Sequence, residues 1–247
     1  MNPYSAYCDE YYANMYLHTE MKLPQNRESV LSFFEHVRRR YPEMASFSAR
    51  PRSEFSLETE KVDGQFRWVT LEPRRLCSGA LNPLSLDSAI QQHKTVLEIV
   101  PYELSVGHLD CESLNFTMGF DFQYRGNHSQ LLVEALGMVP AFDRLMDAIP
   151  GPLLAYEPLL QFALDDQCKT QCRISLEARS TAYQARTGEF GEEPLSVYLT
   201  VRRYASLSKE EQFSAELERL AETADRLVGH YLVENVLQPL QRAIAMK

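Results

Sequence analysis

The sequence predicts an α+β protein. Two β-α-β-β-(β)-α units form a curved antiparallel sheet covered on one face by helices, and a long helix ends the chain. Three observations carry this. The stretch "LNFTMGFDFQYRGNH" alternates, with Leu114, Phe116, Met118, Phe120, Phe122 and Tyr124 on one side and polar or small residues on the other; a period of two is that of a strand with one buried face. Other segments repeat apolar residues at helical spacing between capping residues and Pro or Gly stops. The order strand, helix, strands, helix occurs once in 1–104 and again in 105–247, without residue-level similarity between the two.

The first unit opens on a tyrosine-rich arm, Tyr4, Tyr7, Tyr11, Tyr12 and Tyr16. "NMYLHTEMKLP" then alternates, with Met15, Leu17, Thr19, Met21 and Leu23 on one side, and reads as a half-buried strand ended by Pro24. Asn26 is placed to cap a helix whose Val30, Phe33, Phe34, Val37 and Tyr41 share a face, with Pro42 after it. Asp63-Gly64 predicts a two-residue hairpin, because a type I′ turn needs positive φ at both central residues. That register sets Val62 against Gln65 and Glu60 against Arg67, and puts Phe55, Leu57 and Thr59 on one face with Phe66 and Trp68. The strand is expected to run on through Leu76 and Cys77. A helix from Asp87 carries Ala89, Ile90, His93, Leu97 and Val100 in a stripe, and Pro101 should stop it.

In the second unit the long alternating strand leads to a helix capped by Asn127 and stopped by Gly137. A short helix, "AFDRLMDAI", follows Pro140. Strands are expected around 159–164 and 172–178, flanking a turn at Asp165, and again at "LSVYLTVRRY" after the polar loop "RTGEFGEEP". Ser208 and Glu211 have capping-box spacing ahead of the last helix, whose apolar stripe runs from Phe213 to Tyr231 and on to Pro239, a kink or an end.

By the order of its elements the chain resembles a duplicated saddle of the TATA-binding-protein type; a helix-grip arrangement, with a long C-terminal helix across a bent sheet, is the other candidate. Neither resemblance carries function. The formal charge is −9, which argues against a nucleic-acid backbone as partner, since phosphate binding needs a basic face.

With 45% hydrophobic and 24% charged residues in 247, the composition is that of a globular protein with no disordered tract. No signal peptide is visible, and no window reaches the roughly 18 apolar residues of a membrane span. The expected location is the cytoplasm. Five cysteines, an odd number at irregular spacing, agree with a reducing compartment.

The search for chemistry is mostly negative. The chain holds no phosphate-binding loop, no G-x-G-x-x-G, no G-x-S-x-G and no H-E-x-x-H, so no cofactor and no metal are expected. Cys168 and Cys172 would need two further ligands to hold zinc, and buried thiols are the preferred reading. His93 sits on an apolar stripe and is read as a core-edge histidine, and Asp165-Asp166 as a turn. The one local cluster with binding chemistry is "YRGNHS". There Arg125, Asn127 and His128 flank a helix start whose free N–H groups suit an anion, and Arg173 on a later strand could approach. Ordinary capping by Asn127 is the competing reading.

Six large apolar side chains on one strand face are worth on the order of 10 kcal/mol if buried, comparable with a whole domain's net stability of about 5–15 kcal/mol. The row is therefore expected to be core rather than a ligand wall. The functional expectation is a non-catalytic binding or assembly module forming a homo-oligomer, through the tyrosine arm and apolar positions such as Val233, Val236, Leu237 and Leu240. The alternatives are a carrier of a small apolar or anionic ligand held between sheet and helices, and an enzyme using His128, His93 or Asp165 as base. Neither nucleic acid nor membrane is an expected partner.

Overall fold

The computed structural model describes residues 3–51, 54–208 and 211–247. The chain folds as α+β around one open, nine-stranded antiparallel sheet of order β2-β3-β4-β5-β1-β6-β9-β8-β7. The strands are β1 (Glu10–Thr19), β2 (Ser46–Arg50), β3 (Glu54–Glu58), β4 (Phe66–Glu72), β5 (Arg75–Leu81), β6 (Cys111–Phe122), β7 (Leu159–Ala163), β8 (Thr170–Glu177) and β9 (Leu195–Tyr204). Helices α1 (Arg27–Arg40) and α2 (Leu86–Glu103) belong to the first half of the chain. Helices α3 (His128–Leu136), α4 (Pro140–Ala148) and α5 (Ala182–Thr187) follow in the second. The C-terminal helix starts as α6 (Phe213–Leu227), widens into a π-helical segment (Val228–Leu237) and ends as α7 (Gln238–Ala245).

The alternating row is core. Leu114, Phe116, Met118, Phe120 and Phe122 are at most 1% exposed, and Tyr124 packs at the edge of the same cluster. Met15 and Leu17 of β1 and Val197, Leu199 and Val201 of β9 lie in register beside the row and are equally buried. Helices α2 and α6 cover these central strands, as the amphipathic stripes of both require.

Local signals place most of the boundaries. Asn26 caps α1 by accepting the Ser29 N–H at 2.9 Å, and Asn127 caps α3 by accepting that of Gln130 at 3.1 Å. Gly137 takes φ +79° after α3. Asp63 and Gly64 both have positive φ, and Val62 bridges Gln65.

Several expectations need correction. Arg67 lies opposite Thr59 rather than Glu60, because the chain carries one extra residue between Thr59 and Val62, ahead of the turn. The slip flips the faces: Phe55 and Leu57 join Leu71 and Val69, and Trp68 turns to the other side. The strand predicted to run on to Cys77 breaks at Pro73-Arg74, and β5 returns antiparallel to β4. Helix α2 runs two residues past Pro101, which its last turn tolerates. The terminal helix passes through Pro239, since that residue opens α7 directly after the wider π turns, where the missing donor is least felt. Glu211 accepts the Ser208 N–H at 2.8 Å, one arm of the expected box, but the helix itself begins at Phe213. Met21 is 70% exposed, because β1 has already ended.

The tyrosine arm is bound to its own chain. Tyr11 is fully buried in β1, and the Tyr4 ring stands edge-on to Tyr11 and Phe120 at centroid distances of 4.9 and 5.1 Å. Val236, Leu237 and Leu240 are likewise buried in the chain's own core, with Val233 packed against it.

Candidate interaction surface

The predicted anion cluster is divided. Asn127 does cap α3, and its Nδ2 also donates to the Leu153 carbonyl at 2.7 Å. His128 is 3% exposed. Its Nε2 lies 3.0 Å from the Tyr124 carbonyl and its Nδ1 accepts the Arg179 N–H at 3.1 Å. Nε2 therefore carries the proton of a neutral ring, and burial lowers its pKa. The His128 backbone N–H is taken by Ser180 Oγ at 3.1 Å. Arg125 forms an exposed ion pair with Glu192. Arg173 sits in β8 opposite Thr200 and Gln161, and it is Arg179 that lines both the cleft beside Arg173 and the cleft beside His128.

What the "NHS" turn does hold is the chain after α4. The Leu153 carbonyl binds Asn127, the Tyr156 N–H donates to Ser129 Oγ at 3.0 Å, and the Tyr156 hydroxyl donates to the Gly137 carbonyl at 3.1 Å. These bonds fix the loop 151–156 facing α4. Between loop and helix lies an open groove of about 330 Å³ whose apolar lining includes Phe142, Leu145, Ile149, Leu153 and Leu154. No residue of α4 is buried.

The exposure continues into β7, in which all five residues are exposed. Leu160 and Phe162 pair with Ile174 and Cys172, which are buried on the helix-covered side of the sheet. Cross-strand partners share a face. Leu160 and Phe162 therefore extend the core face to a strand that no helix covers among the described residues, each 53% exposed. Of the nineteen large apolar side chains that are exposed among the described residues, ten fall within 139–164. Apolar surface gathered in this way is the usual form of an interaction site.

The helix-free face of the sheet is of another kind. Tyr12 OH donates to Asp121 Oδ1 at 3.0 Å and lies 3.1 Å from the Tyr198 hydroxyl, Ser196 Oγ donates to the same Asp121 oxygen at 2.6 Å, and Arg179 Nη2 reaches Tyr198 at 3.2 Å. Burial raises the Asp121 pKa against the lowering effect of its Ser196 and Tyr12 bonds. The Tyr12 ring lies flat across Gly119 and that of Trp68 across Gly79, so a Cβ at either glycine would stand within 2.2 Å of ring atoms. Gly119→Ala is expected to push Tyr12 off its hydroxyl partners and lower stability by about 1–3 kcal/mol. Urea unfolding measures this, and an unchanged midpoint would show that the ring moves aside without cost.

Burial pushes the Cys172 thiol up to about 11, whereas Cys168 is exposed, and all five cysteines are free. Among the described residues no group of three or more His, Cys, Asp or Glu is placed to hold a metal, and no helix is long and apolar enough to cross a membrane. No protein-family model matches the chain, and no curated protein matches its sequence.

The sequence identified both elements of the apolar flank, "AFDRLMDAI" and the strand at 159–164. It did not identify the flank as a surface. The available signal was the absence of any charge or proline from "LLQFA", a composition that suits a paired strand and is unusual for a bare edge.

Proposed function

We propose that the protein is a non-catalytic binding and assembly module that forms homo-oligomers. The observation that supports this is the gathering of exposed apolar side chains at 139–164. The interface is moved by it: the tyrosine arm and the end of the terminal helix are occupied within the chain, and α4, its facing loop and β7 take their place. Sedimentation over a wide concentration range tests the reading. A mass above that of one 28.4 kDa chain is expected, rising with concentration. A single species at the chain mass throughout removes self-assembly.

A second reading has its own observation. The groove between α4 and loop 151–156 is apolar and about 330 Å³ in volume, the size of a small-ligand site. It lies outside the helix–sheet layer where a carrier's ligand was expected. A co-purifying apolar compound, found by native mass spectrometry and lost on Leu145→Glu, is the expected sign of a carrier. Bare protein in every preparation argues against it.

A further inference from the structure

We infer that two copies of this chain join edge to edge through β7, pairing antiparallel about a twofold axis at Gln161, so that the two sheets become one. The inference rests on the self-association reading above and names its interface.

The backbone sets the register. The Leu164 N–H donates to the Thr170 carbonyl at 2.8 Å and the Leu176 N–H to the Pro158 carbonyl at 3.0 Å. Antiparallel ladders alternate, so Leu160 and Phe162 turn their backbone groups toward β8. Leu159, Gln161 and Ala163 turn theirs outward, where the sheet order leaves no neighbour among the described residues. A copy rotated about Gln161 presents the same three residues in reverse. Gln161 then meets Gln161 of the copy, and Leu159 meets Ala163 in both directions. Each outward N–H and carbonyl gains a partner. On the helix side Leu160 of each copy falls opposite Phe162 of the other, and four half-exposed apolar side chains close on one another.

The two ends of the sheet differ in a way that points to β7. The other edge, β2, carries Arg50, which pairs with Glu54 at 3.0 Å and Glu58 at 3.1 Å, and its Phe47 ring packs on Phe34 at 5.4 Å. Charge on an edge strand is a usual guard against pairing. The sequence "LLQFA" has no charge, no proline and no cover.

The occupant is a second copy for two reasons. The five residues of β7 carry no charge, so they meet their own image without like-charge contact in a chain of net charge −9, the nearest carboxylates, Glu157 and Asp165, lying just outside the strand. The register is also self-complementary, since Leu160 and Phe162, each 53% exposed, cover one another across the axis in both copies. The pairing is isologous, so it closes at two copies.

The test uses the full chain with Cys168→Ser, which removes the exposed thiol. Gln161→Cys in that background is expected to form a disulfide-linked dimer under mild oxidation, because directly opposed strand residues bring Cα atoms about 5.5 Å apart. Phe162→Lys is expected to weaken dimerisation by about tenfold or more while leaving the melting temperature of the monomer unchanged, since this side chain is exposed. If the wild-type chain is a dimer but neither variant behaves so, or if it forms polymers that do not close, the β7 interface is overturned and self-association stands. If the wild-type chain is a monomer at every concentration, the self-association reading fails and this one with it.

Discussion

Phe116→Ala is expected to remove about 3–5 kcal/mol of stability, a large share of the roughly 5–15 kcal/mol that holds a domain folded. Phe116 is fully buried. It lies between Met15 of β1 and Val201 of β9 in the sheet, with the His93 ring of α2 edge-on at 6.2 Å. Four elements meet on this ring, so truncation leaves a cavity that the rigid centre of the sheet cannot close. Urea unfolding should show a lower midpoint with an unchanged slope. A loss below about 1 kcal/mol would mean that the ring borders open space, and the row would then be a wall rather than a core.

Acidification is expected to weaken the fold through His93. This side chain is fully buried in α2, with Nδ1 2.8 Å from Ser78 Oγ, and burial holds its pKa down to about 3, with Arg67 adding repulsion. In the unfolded chain the imidazole takes its proton near 6.5. Above that pH neither state is protonated, and His93 contributes no pH dependence. As pH falls below 6.5 the unfolded state binds the proton and the folded state does not, so stability drops. The loss is about 2 kcal/mol by pH 5 and approaches about 5 kcal/mol near pH 3, where the folded state also protonates. His18 and His128 are shifted in the same direction, also by burial. The comparison that isolates His93 is therefore wild type against His93→Leu. The variant should show a shallower slope between pH 6.5 and 4, by the share that His93 contributes, with that of His18 and His128 remaining. Parallel pH profiles for the two proteins would show that the buried ring is not held neutral.

Elements were legible where their cause is local. Asn127 and Gly137 bracket α3 because capping and positive φ act within a few residues, and Asp63-Gly64 makes its turn for the same reason. What followed the turn was not legible. One added residue between Thr59 and Val62 moved Trp68 to the opposite face, and nothing in the pattern separates the two registers. Strand β2, "SFSAR", has no apolar row of its own and is held by pairing with β3 and by the Phe47 ring on Phe34, which alternation cannot reveal. Helix α5 is set by a capping box of Thr181 and Gln184 inside a polar stretch that reads as loop. Pro101 and Pro239 did not act as stops, since the cost of proline depends on which carbonyl awaits a donor.

The candidate site divides along the same line. Capping by Asn127 was readable from its neighbours. The meeting of His128 with Arg179 was not, because it depends on where β8 ends in space. The apolar sides of α4 and β7 could be read as faces, but whether a helix covers them is decided by the placement of α2 and α6 over the central strands. The helix layer stops short of the sheet's last strand, and that nonlocal fact gives the flank its exposure.

The most direct test of the whole account is the solution mass of the intact wild-type chain, measured by sedimentation equilibrium across a wide concentration range. A reversible equilibrium that ends at twice the chain mass is expected, with the core untouched. A mass that stays at one chain up to the solubility limit would contradict it.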